Sequence, residues 1–277
     1  MHFRRKTIGQ VIGLLGECSG IVRLVAVLEG IKDCDAWVDD PAGPRFGAIR
    51  YENKLYLAGT LMTQEDEDFL GRFVRKEVSA RRLEGHAHDR AIVRAFDSTI
   101  GEALPRMLGG ISHTVRGREY LEASLPFEAS EAREHALFEG YRFADVGNEL
   151  LKDDGILDID LLRSECAYRY DSMTKGAGEF LGVAALCEDA LAGWCLSEYL
   201  CSAGCEIGIE VMEAHRGRGL AKALTGRFLK ECRELRMQKV GWNCYSDNIP
   251  SFRTAIACGF RHIRSYYQVE VRYDRAE

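Results

Sequence analysis

Cys205-Glu206-Ile207-Gly208-Ile209-Glu210-Val211-Met212 reads as a strand, and it runs through Glu213-Ala214-His215 into Arg216-Gly217-Arg218-Gly219-Leu220-Ala221-Lys222. From there Ala221, Leu224, Phe228, Cys232 and Leu235 recur at helical spacing, the apolar stripe of a long amphipathic helix. A strand delivered through a glycine-bearing loop into a helix outlines an anion cradle. The first N–H groups of a helix lack intrahelical partners, and the helix dipole places about half a positive charge there. Gly217 and Gly219 keep side chains out of the approach, while Arg216, Arg218 and Lys222 add cations, so a diphosphate suits the site. Arg-Gly-Arg-Gly on its own fits a solvated turn equally well. The stretch is not a P-loop, and Gly176-Ala177-Gly178 lacks the third glycine of a dinucleotide fingerprint.

Outward from this stretch, Glu179 to Cys187, Leu191 to Leu200 and Cys205 to Met212 are apolar runs joined by Glu188-Asp189 and Ser202-Ala203-Gly204, which predicts an antiparallel meander. Arg142 to Val146 reads as a strand and Asp158 to Tyr170 as a helix. Lys239 to Tyr245 reads as a strand, Pro250 to Cys258 as a helix stopped by Gly259, and Ile263 to Tyr273 as a final strand. In the first half, strands are expected at Gly47 to Tyr51, Lys54 to Ala58, Ala91 to Phe96 and His113 to Ala123, with a short helix near Thr99 to Leu104. Thr63-Gln64-Glu65-Asp66 opens a helix with Phe69, Leu70, Phe73, Val74 and Val78 on one face. No internal repeat is visible. The joint is expected near residue 128, around Pro126 or within a helix read over 130–140. Residues 1–128 then form an α/β accessory domain and 129–277 a domain with a mixed, mostly antiparallel sheet flanked by helices, making the fold class α+β.

The 277 residues are 46% hydrophobic and 29% charged, enough apolar surface for two modest cores. Lys plus Arg is 37 against 43 Asp plus Glu, a net charge of −6, so no overall basic field draws the chain to nucleic acid or anionic lipid. Ten cysteines are scattered without C-x-x-C or a His cluster and with no signal peptide ahead of them, so reduced thiols, a cytoplasmic location and no metal are expected. His86-Ala87-His88 reads as an exposed loop. Apolar stretches are interrupted, as by Glu17 and Arg23 within Ile12 to Val27, so no membrane span is expected.

Arg216 to Ala221 fits R-x-x-G-x-[GA] with Val211 five residues ahead, and Asn248-x-x-Ser251 followed by Gly259-Phe260 fits a second signature. On these motifs the chain resembles the GNAT acetyltransferase superfamily. Ile207-Gly208-Ile209-Glu210, Trp242-Asn243-Cys244, Val27-Leu28-Glu29-Gly30, Val38-Asp39-Asp40-Pro41, Pro44 and Tyr56-Leu57-Ala58-Gly59 are similar to the zwittermicin A resistance-type acetyltransferases. The resemblance implies N-acetyl transfer from acetyl-CoA to a primary amine of a small molecule, by direct attack in a ternary complex. It places the coenzyme on Arg216, Gly217, Arg218, Gly219, Leu220, Ala221 and Lys222, on Asn248 and Ser251, and on the main chain of Val211 and Met212.

An ammonium acceptor must lose a proton before it attacks, which calls for a carboxylate beside the thioester. Glu210 is the first candidate and Glu206 the second, both on one strand face; facing solvent or pairing with arginine is the alternative. Trp194, Ser197, Glu198 and Tyr199 on the meander line an acceptor pocket or simply pack, and Asp39-Asp40-Pro41 is an acceptor patch or a turn. Many members of the superfamily carry a Tyr where this chain has Ala255, so the usual general acid is missing. Tyr245, Tyr266 and Tyr267 are substitutes by type, and Cys244 reads as a core thiol. That departure keeps a non-catalytic acyl-CoA-binding module as an alternative, beside an acetyltransferase for a protein or peptide amine. The oligomeric state is not legible.

Overall fold

A computed structural model describes residues 4–5, 8–16, 21–30, 34–83, 90–124, 140–170 and 181–272. The first half comprises β1 (Arg4–Arg5), α1 (Ile8–Leu15), α2 (Val22–Leu28), β2 (Asp35–Val38), β3 (Phe46–Tyr51), β4 (Lys54–Gly59), α3 (Gln64–Leu83), β5 (Arg90–Ala95), α4 (Ser98–Leu108) and β6 (Thr114–Ser124). The second comprises β7 (Tyr141–Asp145), α5 (Asn148–Leu151), α6 (Ile159–Tyr170), β8 (Gly182–Cys187), β9 (Ala190–Cys201), β10 (Gly204–Val211), α7 (Leu220–Glu234), β11 (Lys239–Tyr245), α8 (Ile249–Ala257) and β12 (Arg261–Arg272). The expected meander, the long helix and the elements after it are all present. α1, α2 and β2 were not anticipated, and α4 runs on to Leu108 with Pro105 inside it.

All twelve strands form one sheet in the order β1-β2-β3-β4-β5-β12-β6-β11-β10-β9-β8-β7. Neighbours are antiparallel except for β4 with β5 and β10 with β11. The fold is therefore mixed α+β with a mostly antiparallel sheet. The topology carries a repeat that is not visible in the residues. Each half runs a three-strand meander, a helix, a strand parallel to the meander's last strand, a further helix and a closing strand. The repeat lies in element order and not in residue identity, which is why the sequence hides it. The closing strands are exchanged: β12 lies between β5 and β6, and β6 lies between β12 and β11. The boundary near 128 and the helix read over 130–140, apart from Gly140, which lies in a turn, fall outside the described residues, as do Gly176-Ala177-Gly178 and His86-Ala87-His88.

The sheet is covered on both faces. α3 and α4 pack Leu70, Val74, Ile100 and Leu104 over Leu57, Val93 and Val269. α7 and α8 pack Leu224, Phe228, Cys232 and Ala255 over Cys195, Cys205, Val240 and Trp242. The predicted stripe of α7 holds through Cys232, but Leu235 is the C-cap and lies exposed. On the opposite face, α1 and α2 cover Ile49, Tyr56 and Tyr266, while α5 and α6 cover Ala184, Leu186 and Trp194. Burial on two faces explains the continuous apolar runs of β8 and β9. Among the described residues no disulfide joins the cysteines, and no helix is long and apolar enough to cross a membrane.

Candidate active site

The parallel strands β10 and β11 separate at their C-terminal ends. Their last paired residues are Ile207 and Trp242. β10 nevertheless stays on β9 as far as Val211 opposite Gly193, and β11 stays on β6 as far as Tyr245 opposite Arg118. A wedge opens between them. Residues along a strand present their N–H and C=O alternately to one neighbour and the other. The Met212 N–H bonds to the Ala192 carbonyl at 2.9 Å, so the main-chain groups of Ile209 and Val211 face the wedge. Arg216 confirms that direction, its Nε donating to the Val211 carbonyl at 2.9 Å. The Val211 main chain thus faces the wedge, whereas the Met212 amide is spent on β9. Ile209, which is not among the sequence candidates, faces the wedge as well, and alternation along β10 is the signal that finds it.

The loop has the shape of an anion cradle. Gly217 and Gly219 adopt φ values of 73° and 85°, the left-handed region that favours glycine. A Cβ on Gly217 would meet nothing within 4 Å, so the ground ahead of the start of α7 is open. Gly219 is the N-cap and no side chain caps the helix. Leu220 is buried and anchors the turn, with Ala221 and Lys222 following in the first turn. Arg218 reaches the Tyr141 hydroxyl at 3.4 Å, and that hydroxyl shares a 2.7 Å hydrogen bond with His215 Nδ1. Arg216 turns back from the loop toward β10. Asn248 caps α8, its Oδ1 accepting from the Ser251 N–H at 3.1 Å, and the Ser251 hydroxyl accepts from Trp242 Nε1 at 3.0 Å. The hydrogen bonds seen for both are internal to the fold.

The two candidate carboxylates have different surroundings. Glu210 is 49% exposed at the wedge and accepts from the Arg216 guanidinium at 2.8 Å. An exposed pair of this kind is held weakly. Glu206 is 1% exposed and lies under α2. It accepts from the Arg23 backbone N–H at 3.2 Å, from Arg23 Nε at 2.9 Å, from the Arg23 guanidinium terminus, and from Asn243 Nδ2 at 3.2 Å. Burial works against the charge of Arg23, but the Glu206 carboxylate together with Tyr56 and Tyr266 outweighs it and holds the guanidinium above its usual range. A Cβ at Gly241 would come within 2.8 Å of Glu206 Cγ and 2.9 Å of the Tyr120 hydroxyl, so a glycine makes room for this buried pair.

The remaining sequence candidates also find places. Trp194 pairs with Glu210 across the β9–β10 ladder and is buried. Ser197 is buried, accepting from the Leu181 N–H at 3.0 Å, and Glu198 stands opposite Glu206. Tyr199 lies against Arg23 and accepts from the Tyr51 hydroxyl at 2.9 Å. Asp39 serves a turn, accepting from the Arg45 and Phe46 N–H groups. Ala255 is buried in the core, and burial pushes the Cys244 thiol up, away from a reactive thiolate. Among the described residues no group of three or more His, Cys, Asp or Glu is placed to hold a metal ion.

A two-part sheet, a parallel pair splayed at its C-terminal end and a glycine loop at a helix start define the class of the protein. The family model for GNAT acetyltransferases matches residues 17–269, and the chain belongs to that family. Solved structures share the fold over nearly the full length. A GCN5-related N-acetyltransferase-like protein from Streptococcus suis is 19% identical, with a TM-score of 0.64 over 96% of this chain and 98% of its own. A GCN5-related N-acetyltransferase from Sphaerobacter thermophilus is 13% identical, with a TM-score of 0.66 over 100% and 96%. A tandem GNAT protein from the clavulanic acid biosynthesis pathway is 16% identical, with a TM-score of 0.60 over 100% and 99%. No curated protein matches the chain in sequence.

Proposed function

We propose that this chain is an acetyl-CoA-dependent N-acetyltransferase acting on a primary amine of a small molecule. The observation that carries the reading is the wedge between β10 and β11, which opens beside the uncapped start of α7. Acetyl-CoA, when bound, supplies a thioester activated toward attack by nitrogen. Gly217, Arg218, Gly219, Leu220, Ala221 and Lys222 surround the diphosphate position, with Arg216 bridging from the loop to the wedge. Asn248 and Ser251 shape the opposite wall. The main-chain N–H groups of Ile209 and Val211 point at the position of the thioester and its amide-bearing tail, where they polarise the carbonyl.

Glu210 is the proton acceptor on this reading. It lies beside Val211, is open to water, and among the described residues is held only by Arg216. Glu206 has its oxygens committed to Arg23 and Asn243 and serves better to hold α2 on β10. Transfer forms the N–C bond and breaks the C–S bond. The ammonium proton leaves through Glu210, directly or by a water, and coenzyme A departs as thiolate, a tolerable leaving group because thiol pKa values lie near 8.5. Buried Ala255 supplies no acid, and the reaction needs none. The likeness to zwittermicin A resistance-type acetyltransferases in the loop, β11 and the first half supports a small-molecule acceptor. The reading places the chain in the cytoplasm, where acetyl-CoA is available.

Calorimetry with acetyl-CoA, followed by a panel of amines with release of free thiol as the readout, tests the proposal. Binding together with amine-dependent thiol release is expected. Absence of acetyl-CoA binding overturns it, and tight binding with no transfer to any amine leaves a non-catalytic module.

A further inference from the structure

The face of the sheet that carries Glu210 continues across the wedge as a polar row. Tyr245 ends β11, and its cross-strand partner on β6 is Arg118, which in turn pairs with Tyr266 on β12. The Arg118 guanidinium lies 4.4 Å from the Tyr245 ring centroid, and that of Arg116 lies 3.8 Å from it. Tyr245 donates its hydroxyl proton to Glu270 at 2.9 Å, and Tyr266 donates to Asn243 at 2.7 Å. Both rings are thereby fixed beside Arg118.

The acids on and around this row have partners of their own. Glu206 is matched by Arg23, Glu210 by Arg216, Glu270 by Arg90 and Asp247 by Arg116. Glu119 accepts from Ser246, His262 and Ser265. Arg118 has no carboxylate among the described residues, and its Nε is buried without a hydrogen-bond partner. Buried donors in native proteins nearly always find acceptors. Arg94, further along the same face, donates among the described residues only to the neutral Gln268 and Tyr56. The local field is positive accordingly. Burial pushes the Tyr56 phenol up, yet Arg94 and Arg23 together draw it below its usual range.

We propose that Arg118 binds a carboxylate on the acceptor, so that the substrates of this site are amines that also carry a carboxylate, namely amino acids and compounds built like them. Adjacent strands lie about 5 Å apart, so an anion on Arg118 sits one strand beyond the wedge wall, within reach of an amine presented to Glu210. A planar guanidinium fork suits a carboxylate, and the aromatic rings beside it hold its plane. The inference rests on the acetyltransferase reading and adds to it the class of acceptor.

The test uses acetyl-CoA with matched sets of amines: a free amino acid, its carboxamide and its decarboxylated amine, with several side chains. For at least one set, kcat/KM for the free acid is expected to exceed the other two by tenfold or more. Arg118→Gln is expected to collapse that ratio through KM, with the thermal midpoint and the acetyl-CoA Kd reporting that the fold and donor site persist. Arg118→Lys, which keeps the charge and loses the fork, is expected to fall between. Equal use of all three members by the wild-type chain overturns the inference while leaving the acetyltransferase reading intact. A uniform loss across the set in Arg118→Gln shows a merely structural residue and also overturns it. Transfer to no amine at all removes the reading beneath it.

Discussion

In the first half β4 leads into α3, and in the second half β10 leads into α7, the same step of one repeated scaffold. At α3 the helix start is closed. Asp66 Oδ2 accepts from the Met62 and Thr63 N–H groups at 3.1 and 3.0 Å, while Thr63 Oγ1 accepts from the Asp66 N–H at 3.2 Å. This is a reciprocal capping box, with Glu65 and Glu67 beside it. Those hydrogen bonds and Arg45, working against burial, hold the Asp66 carboxyl below its usual range. At α7 no side chain caps the start, the first turn carries Lys222 and no acid, and Arg216 and Arg218 stand in the loop just ahead of it. One scaffold therefore makes an acidic, self-satisfied helix end and a basic, open one.

The strand ends differ too. β4 and β5 last pair at Leu57 and Ala95, but Thr60 Oγ1 donates to Asp97 Oδ2 at 3.0 Å and the Leu61 N–H donates to Thr99 Oγ1 at 2.9 Å. These bonds tie the first wedge together. A cavity of about 200 Å³, lined by Leu14, Leu57, Phe96 and Arg264 among others, remains behind the tie. It lies away from the coenzyme loop, and the loop geometry is the better guide to the chemistry. The difference teaches that the fold supplies a wedge twice, and the residues at the helix start decide whether the chain closes it itself or leaves it open and basic.

The largest expected effect comes from the pair that joins the halves. Glu206→Gln leaves Arg23 buried against a neutral amide, and the loss of stability expected is about 3–5 kcal/mol in urea unfolding. A midpoint close to wild type would show that α2 is not held to β10 by this pair. Next, Glu210→Gln is expected to lower kcat about a hundredfold near neutral pH while sparing donor affinity. A pH–rate profile identical to wild type would remove Glu210 as the base.

Gly219→Asp sets an acid at the second helix start, as α3 has at the first, and at a φ that disfavours it. Its acetyl-CoA Kd is expected to rise about tenfold or more by calorimetry. The wild-type titration is expected to show a single site per chain; two sites would mean that the first wedge binds coenzyme as well.

The smallest effect separates the helices themselves. Glu77 on α3 is matched by Arg50 at 2.8 Å, whereas Glu231 on α7 pairs with Arg227 near a second acid, Asp145. Burial, and then Asp145, push the Glu231 carboxyl up to about 7. A folded-state value above the unfolded one means that the folded chain binds this proton more tightly. The stability it contributes is full below the unfolded carboxylate range and is lost as pH rises through about 7. Glu231→Gln is therefore expected to raise Tm at pH 8 by roughly 2 °C, allowing for solvent screening, and to change little at pH 5.

Much of the second half is legible in the sequence because its signals are local. Strand alternation, two-residue turns and the glycines of the loop act over a few positions, and Thr63 with Asp66 announces α3 the same way. The first half is less legible. α1 and α2 carry no acids in their first turns and no side chain caps α2, so an apolar segment such as Ile21 to Val27 carries no boundary signal. At the site, Glu206 and Glu210 read alike in the sequence, two acids on one face. Their different burial comes from α2, 183 residues away from Glu206 at Arg23.

The sequence by itself determined the meander, the basic glycine loop, the helix it opens and the family these imply, because each rests on contacts between near neighbours in the chain. Only the tertiary structure decided the repeat with its exchanged closing strands, the commitment of Glu206 to Arg23, the loss of the Met212 amide to β9 and the place of Arg118 beside the wedge. Each of these depends on which distant strand or helix lies alongside, and that is set by how whole elements bury their apolar faces together.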